Sequence, residues 1–426
     1  MIPMGPAEIY KFGGASVKDA AAIRNVADIL RKPTPRPLAI VISAMGKTTN
    51  ALEEIVKAHY SQPDLLPALV KKLKDYHEEI ALTLLAEDAG PLMTDLHDLW
   101  VELNWILEED PHPTYNYHYD QIIVFGELAS TKIVSAYLTR EGIRHQWLDA
   151  RNIIKTDSEY REARILWDLT QAAVNSELRK ALDEYGMVIT QGFIGSTIYN
   201  ESTTLGREGS DYTAAILAYA LDATSVTIWK DVPGIMTGDP KRFSSVQRMD
   251  EISYQEAIEM TYYGAKVIHP KTIKPLQNKG IPLYVRPFDH PESFGTKIGV
   301  VTNKDLPPII VAESNQVLFR ISTKDFSFVA EENLKEIFTK IADLRIKVNS
   351  MRNTAISFMI CITNDPSKVG QLVNALQDKY EIILHEHIEL ITVRHADTET
   401  LDMLKQGKEI LFEEIYGKTH QFIIKV

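Results

Sequence analysis

The stretch STTLGREGSDYTAAILAYAL, residues 202–221, places two glycines, an arginine and an aspartate directly before an apolar helix. The spacing of its alanine and leucine residues predicts a helix with one buried stripe and with Ser210 or Asp211 as the N-cap. Capping does not account for the other small and charged residues of the stretch. Those residues indicate a binding site for an anion: Thr203, Thr204, Gly206, Arg207 and Gly209.

A second glycine turn, in EIYKFGG at residues 8–14, also suits an anion. Gly13 and Gly14 lie between a predicted strand and a predicted helix, so their N–H groups can approach phosphate oxygens. Lys11 would add a cation for a transferring phosphoryl group, whereas a tight turn with a surface lysine is the alternative. The sequence matches neither GxGxxG nor the Walker loop, which needs a glycine where Val41 stands.

The elements that must position these residues alternate between strands and helices. Buried strands are predicted at residues 8–14, 38–44, 121–127, 187–195 and 225–235. Helices are predicted at residues 17–30, over most of 50–110 and at 128–137. This alternation favours a three-layer α/β/α domain with a mainly parallel sheet. Open sheets of this kind bind ligands at the carboxyl ends of their strands, where the glycine loops recur.

A change of pattern follows the linker-like stretch TNKDLPP at residues 302–308. We therefore predict a catalytic domain at residues 1–302 and a smaller region at residues 303–426. The order β-α-β-β-α-β predicts an α+β, ferredoxin-like fold for the smaller region. Its second half is expected to be shortened, because residues 396–409 leave little room for another full helix.

The bulk properties limit the possible partners and compartments. A net charge of −12 argues against nucleic acid, since phosphate contacts need a basic surface. The single cysteine, Cys361, excludes a disulfide within the chain and suits a reducing compartment. We see no secretory signal and no apolar run long enough for a membrane span. These observations predict a soluble, cytoplasmic protein.

Several segments resemble, in order and spacing, the motifs of aspartate kinases in the amino-acid kinase family: KFGGAS, SAMGKTTN, FGELAS, GFIGST, TTLGREGSDYTAA, KDVPGIMTGDPKR and YYGAKVIHP. The resemblance covers residues 7–300. It implies the amino-acid kinase fold followed by ACT-like domains that pair subunits. It also implies transfer of the γ-phosphoryl group of ATP to the β-carboxylate of L-aspartate, the first step towards lysine, threonine and methionine.

The resemblance also implies the catalytic and substrate-binding residues. Lys11 matches the lysine that stabilises the transferring phosphoryl group, and Asp211 matches the aspartate that orients this lysine. Arg207 matches the arginine that binds the α-carboxylate, where a planar guanidinium suits two oxygens. The other implied substrate-binding residues are Glu127, for the α-ammonium, and Ser43 and Thr49.

For the nucleotide, the resemblance implies ATP with Mg²⁺ bridging its phosphates. The implied ATP-binding residues are Gly13, Gly14, Lys230, Asp231, Asp239, Lys241, Arg242 and Lys266. His269 is interpreted as structural. No metal site built by protein ligands is predicted, although His385 and His387 could share one face of a strand.

The chain departs from the family pattern at informative positions. Lys230 stands where a small hydroxyl residue is usual, and Glu208 replaces a frequent glycine. In lysine-sensitive relatives the loop that enters the first ACT helix carries a glycine, but here Glu331 and Glu332 would repel an effector carboxylate. We therefore expect weak or absent feedback by lysine and a mainly dimerising C-terminal region.

Two alternative functions are open at this point. The first is a kinase of the same fold that acts on another amino acid, such as glutamate, which is only one methylene longer than aspartate. The second is a catalytically inactive amino-acid sensor, which the joint presence of Lys11, Arg207, Asp211 and Lys266 disfavours.

Overall fold

The computed structural model describes residues 5–32, 37–265, 268–301, 305–325 and 327–426. The chain divides into two compact units. The first unit comprises Met1–Ile235, Arg248–Ile258 and Val267–Thr302. The second comprises Met236–Gln247, Glu259–Lys266 and Asn303–Val426. Two internal stretches thus group with the C-terminal residues rather than with their neighbours in the sequence.

The first unit is built from short strands and longer helices. Its strands are β1 (Glu8–Phe12), β2 (Leu38–Ile42), β3 (Gln146–Leu148), β4 (Met187–Gln191), β5 (Ile194–Ser196), β6 (Ser202–Thr204), β7 (Ser225–Lys230), β8 (Glu251–Ser253), β9 (Leu283–Pro287) and β10 (Thr296–Gly299). Its helices are α1 (Ala20–Arg31), α2 (Thr48–Ser61), α3 (Leu66–Leu85), α4 (Gly90–Glu108), α5 (Tyr115–Arg140), α6 (Ala150–Ile153), α7 (Trp167–Ala173), α8 (Arg179–Tyr185), α9 (Gly209–Leu221), α10 (Tyr254–Tyr262, which runs on into the second unit) and α11 (Pro270–Lys279).

Eight of these strands form one sheet in the order β3-β4-β2-β1-β7-β9-β10-β8. All neighbours in it are parallel except β9 and β10. The central strands β2, β1 and β7 end level, because Phe12 pairs with Ile42 on one side and with Trp229 on the other. The loops after these strands therefore meet at one edge of the sheet, as the sequence predicts.

The alternation of side chains along β1 separates its core residues from its lysine. Tyr10 and Phe12 are buried in the apolar core that the sheet shares with α1–α5. Lys11, between them, points to the opposite face of the sheet. On that face α9 packs against β1, β2 and β7. The strand period therefore directs Lys11 toward the helix that the opening glycine-rich stretch precedes.

The strand predicted at residues 121–127 is wrong, because these residues lie inside the uninterrupted helix α5. A helix that is buried on all sides lacks a polar face, so its apolar run resembles a buried strand. Gly126 marks a close contact of α5 with α2, since a Cβ there would lie 2.7 Å from Thr48 Cγ2. Among the described residues, α5 alone is long and apolar enough to cross a membrane, and 78% of its most apolar stretch is buried inside the protein, as is typical of a core helix.

The second unit contains a six-stranded antiparallel sheet in the order β12-β13-β11-β14-β16-β15. Its strands are β11 (Ile309–Thr323), β12 (Val348–Asn353), β13 (Ser357–Thr363), β14 (Tyr380–Arg394), β15 (Ile410–Tyr416) and β16 (Thr419–Lys425). Its further helices are α12 (Glu331–Asp343), α13 (Pro366–Leu376) and α14 (Thr398–Lys405). From β11 to β14 the order is β-α-β-β-α-β, and the predicted fold class is confirmed in both units.

Residues 309–314 and 317–323 belong to one long strand, β11, in spite of a change of register between them. The pairing of β11 with β14 shifts between Glu313 and Gln316, and Asn315 has φ 56°. Such a bulge bends a strand without ending it. Strand β14 is equally long, and residues 388–394 form its end.

Candidate active site

Lys11, Asp211 and Lys230 form a charged cluster at the carboxyl edge of the eight-stranded sheet. Lys11 Nζ lies 2.6 Å from Asp211 Oδ1, and Lys230 Nζ lies 3.5 Å from Asp211 Oδ2. Burial raises the pKa of Asp211, but the two ammonium groups outweigh burial and hold that pKa below its usual value. The carboxylate is therefore ionised at neutral pH and anchors both lysines.

The position of each member of the cluster follows from its element. Lys11 and Lys230 lie at the carboxyl ends of the adjacent strands β1 and β7. Asp211 lies in the first turn of α9, where the positive end of the helix dipole also favours a negative charge. The sequence therefore brings the charges together through one strand pairing and one helix start.

Helix α9 begins three residues earlier than a cap at Asp211 would require. Its N-cap is Glu208, so the predicted cap at Ser210 or Asp211 is wrong. Glu208 has φ 54°, in the left-handed region that favours glycine, which agrees with the glycine usual there in the resembled family. Because Glu208 occupies the cap position, the carboxylate of Asp211 is available to the lysines.

A second helix start is linked to this loop by His269. Glu208 Oε2 accepts a hydrogen bond of 2.9 Å from the backbone N–H of His269. The His269 ring caps α11, because its Nδ1 accepts a hydrogen bond of 3.2 Å from Lys271 N. The predicted structural role of His269 is confirmed.

The glycine turn after β1 lies against the turn after β2. A Cβ on Gly14 would lie 2.8 Å from the carbonyl oxygen of Ala44, and Gly14 O accepts a hydrogen bond of 3.0 Å from Gly46 N. A Cβ on Gly13 would lie 3.3 Å from Lys11 Nζ. The absence of side chains at Gly13 and Gly14 thus allows the two turns and the lysine to approach closely.

Glu127 is a buried carboxyl in the middle of α5, whereas the predicted elements place it between a strand and a helix. Burial raises its pKa to about 8, although a backbone hydrogen bond from Ala44 and the Lys11 charge lower it. Within the described ranges, Glu127 Oε2 has no hydrogen-bond partner. A buried carboxyl in this state is suited to a ligand that brings its own positive charge.

Each of the other predicted substrate-binding residues of the first unit lies in a loop or in the first turn of a helix. Ser43 follows β2, and its carbonyl oxygen accepts a hydrogen bond of 2.7 Å from Ser130 Oγ of α5. Thr49 lies half-buried in the first turn of α2. Arg207 is exposed and lies directly before the N-cap of α9.

The predicted nucleotide-binding residues are divided between the units. Asp231 is exposed and follows Lys230 in the first unit. Asp239, Lys241 and Arg242 belong to the second unit. There Arg242 Nη2 lies 2.7 Å from Glu389 of β14. Lys266 lies outside the described residues.

Two buried polar side chains near these residues were not predicted. Asp120 lies on α5 seven residues before Glu127, a spacing that would have indicated one helix face had residues 121–127 been recognised as helical. His77 Nε2 lies 3.3 Å from Thr48 Oγ1, and burial lowers its pKa to about 4. Over the described ranges, no group of three or more His, Cys, Asp and Glu side chains is arranged to hold a metal ion.

Comparison with known proteins defines the class first. Residues 8–287 match the model of the amino acid kinase family. The match spans more than half of the chain, and the chain therefore belongs to this family. Its sheet, with charged loops at the carboxyl edge, agrees with that assignment.

Similar proteins within the family are aspartokinases. Lysine-sensitive aspartokinase 3 of Escherichia coli (strain K12) is 33% identical over 360 residues, which is 83% of this chain and 78% of the relative. The crystal structure of E. coli aspartokinase III with lysine and aspartate, in its T-state, is 28% identical, with a TM-score of 0.84 over 99% of this chain and 96% of that chain. The R-state of the same enzyme with aspartate and ADP is 28% identical, with a TM-score of 0.81 over 98% and 95%.

Proposed function

We propose that this chain is an aspartate kinase, which transfers the γ-phosphoryl group of ATP to the β-carboxylate of L-aspartate and yields 4-phospho-L-aspartate and ADP. The ion-paired cluster of Lys11, Asp211 and Lys230 is the observation that carries the proposal. The similarity to an E. coli aspartokinase crystallised with aspartate and ADP supports the same reaction.

Charge and position account for the proposed transfer. An aspartate β-carboxylate is ionised at neutral pH and attacks the γ-phosphorus without a general base. A new O–P bond forms as the bond to the β-phosphate oxygen breaks. Lys11 stabilises the negative charge on the transferring oxygens, and Asp211 holds Lys11 in place. Asp211 is thus assigned an orienting role, consistent with a pKa held low by its lysine partners.

A free α-amino acid needs one anionic and one cationic partner. Glu127 would receive the α-ammonium, whose charge stabilises the buried carboxylate that is costly without it. Arg207 would bind the α-carboxylate through two parallel hydrogen bonds. Ser43 and Thr49, after β2 and at the start of α2, would line the same end of the site.

ATP enters this proposal as its Mg²⁺ complex, because Mg²⁺ commonly bridges nucleotide phosphates and keeps several waters. The backbone of Gly13 and Gly14 would contact phosphate oxygens. Lys230 would add a second ammonium on the phosphate side, and Asp231 follows it. The roles assigned to Asp239, Lys241, Arg242 and Lys266 stay predictions.

We further propose that the second unit pairs copies of the chain in a cytoplasmic homodimer. Its exposed large apolar side chains, among them Phe328, Met351 and Tyr416, suit such a contact. Glu331 and Glu332 are exposed in the first turn of α12, where they disfavour an amino-acid carboxylate. We therefore expect lysine to inhibit this enzyme weakly or not at all.

An ADP-release assay with MgATP tests the function. L-aspartate is compared with L-glutamate, Lys11→Ala serves as the inactive control, and parallel wells contain lysine or threonine. We expect turnover with aspartate that the variant loses. No turnover with either amino acid, in protein that still binds ATP, would favour the sensor function. Inhibition by submillimolar lysine would contradict the feedback proposal alone.

A further inference from the structure

Asp120 of α5 is a fully buried carboxylate that holds two other segments of the first unit. Its Oδ2 accepts hydrogen bonds from the backbone N–H groups of Thr204, at 2.8 Å, and Arg161, at 2.9 Å. Its Oδ1 accepts a hydrogen bond of 2.8 Å from Thr204 Oγ1. One side chain thus fixes the end of β6 and the backbone at residue 161.

The segment that Asp120 fixes leads directly to the exposed Arg207. Thr204 is the last residue of β6, and its carbonyl oxygen also accepts a hydrogen bond of 3.0 Å from Ala163 N. Gly206 follows with φ 76°, and a Cβ on it would lie 3.1 Å from the carbonyl oxygen of Arg161. The loop that carries Arg207 therefore starts from Thr204, which is hydrogen-bonded both to Asp120 and to Ala163 N. The loop also packs against the backbone of Arg161, which Asp120 binds as well.

Helix α5 connects this loop to Glu127, the residue expected to bind the α-ammonium group of aspartate. Asp120 and Glu127 are seven residues apart, close to two turns, and so lie on one face of the helix about 10 Å apart along its axis. A buried helix is a rigid support, so it fixes the distance between Glu127 and the start of the Arg207 loop.

The ionisation of Asp120 suits this role above neutral pH. Burial raises its pKa to about 6, although the hydrogen bonds from Arg161 and Thr204 lower it. At pH 8 the group is a carboxylate, which only accepts hydrogen bonds, and its partners are three donors.

We propose that Asp120 is a positioning residue for the amino-acid substrate: it fixes Thr204 and the backbone of Arg161 so that Arg207 is held at a set distance from Glu127. This inference rests on the proposed function, in which Arg207 and Glu127 bind the two ends of aspartate. It assigns to a residue outside the substrate contacts a specific effect on aspartate binding.

The test compares Asp120→Asn with wild type at pH 8 in the full-length chain. The amide keeps one acceptor oxygen and turns an NH₂ group toward N–H donors, so the loop loses part of its anchor. We expect the KM for aspartate to rise about tenfold, as for a loss of about 1.4 kcal/mol, while kcat and the KM for ATP change less than about twofold. Thr204→Val, which removes only the hydroxyl donor, should raise the aspartate KM about threefold, and Thr204→Ser should restore it.

Asp149→Asn is the matched control, because Asp149 is another hydrogen-bonded carboxylate of this unit, capping α6 through Arg151 N at 2.9 Å. It should leave both KM values unchanged. An unaltered aspartate KM in Asp120→Asn, or an equal loss in kcat and in both KM values, would overturn the positioning role. If Asp120→Asn does not fold, the Thr204 variants test the positioning role by the same comparison of the aspartate KM with kcat and the KM for ATP.

Failure of the proposed function has a different signature. Wild-type chain that releases no ADP with aspartate would refute the kinase assignment. The aspartate Kd, measured by calorimetry on the same variants, then decides the inference: weaker binding in Asp120→Asn supports it, and an unchanged Kd or no binding to wild type overturns it.

Discussion

Asp211 and Glu127 are two carboxyl groups of the first unit that are equally buried, each 3% exposed, yet their pKa values shift in opposite directions. Asp211, in the first turn of α9, has two lysine partners, and its pKa is lowered. Glu127, in the middle of α5, has one backbone hydrogen bond from Ala44, and its pKa rises to about 8. Burial alone therefore does not decide the charge of these groups; the local cations do.

This difference separates two kinds of functional group. The charges around Asp211 are already paired in the chain, so their geometry is set before any ligand arrives. The charge of Glu127 is unfavourable until a cation arrives, so its protonation is coupled to ligand binding. Asp211 is suited to positioning a lysine for chemistry, and Glu127 is suited to recognising an ammonium group.

Removing a member of the Lys11–Asp211 pair should have the largest effect on kcat. We expect Lys11→Met to lower kcat about 10³-fold, because a preorganised charge in the transition state contributes about 10²–10³-fold. Asp211→Asn should cost less, about 10²-fold, since Lys11 remains but loses its anchor. Steady-state ADP release measures both effects.

The control for these variants is Lys71→Met, which removes an exposed lysine paired with Asp75 on α3. Exposed pairs of this kind contribute little, so kcat and the unfolding transition should stay unchanged. The double variant of Lys11 and Asp211 should be no worse than Lys11→Met alone, because the two act as a unit. Additive losses would show that Asp211 acts independently of Lys11.

Replacing the unpaired carboxyl of Glu127 should impair aspartate binding while it stabilises the fold. We expect Glu127→Gln to raise the KM for aspartate about 100-fold, as for the loss of a buried charged partner. The folded-state pKa of Glu127 lies above its usual 4.5, so wild type loses stability as pH rises from about 4.5 through about 8. The variant should therefore gain more thermal stability over wild type at pH 9 than at pH 5. A lower Tm at pH 9 would contradict this account.

The contrast also shows what the sequence could predict. The glycine turn after β1 suggested Lys11 as a cation for a phosphate, with a surface lysine as the alternative. The resemblance to a family then assigned Lys11 and Asp211 to one site. The prediction failed at residues 121–127, because a fully buried helix and a buried strand have the same apolar run. With that helix missed, neither the burial of Glu127 nor its spacing from Asp120 could be inferred.

Tertiary contacts determine the features that local sequence patterns did not predict. The N-cap at Glu208 depends on a left-handed backbone conformation that a side chain of this size rarely adopts, and a hydrogen bond to His269, far along the chain, accompanies it. Arg242 likewise pairs with Glu389, which lies far along the chain. Such long-range partners leave no local pattern in the sequence.

The pH dependence of aspartate binding tests the role of Glu127 in the unmodified protein. Below about pH 8 the free Glu127 carboxyl is protonated and neutral, so binding an ammonium group must release that proton. The KM for aspartate should rise as pH falls from 8 to 7, a range that lies above the Asp120 pKa of about 6, by at most about tenfold. Initial rates over this range measure the slope, and calorimetry in two buffers of different ionisation enthalpy measures the released proton. The slope should vanish in Glu127→Gln, and an unchanged slope there would assign it to another group.

The smallest expected effect concerns the second partner of Asp211. Lys230→Thr introduces the small hydroxyl side chain that the resembled family usually has at this position, and it leaves the 2.6 Å pair of Lys11 and Asp211 in place. We expect the KM for MgATP to rise about fivefold, as for the loss of one partly exposed phosphate contact, with kcat reduced less than about threefold. Losing one of its two cations should also raise the pKa of Asp211, so activity should decline at a higher pH on the acid side than in wild type. If kcat instead falls as far as in Lys11→Met, the two lysines have equal roles, and the division between a catalytic lysine and an accessory lysine is wrong.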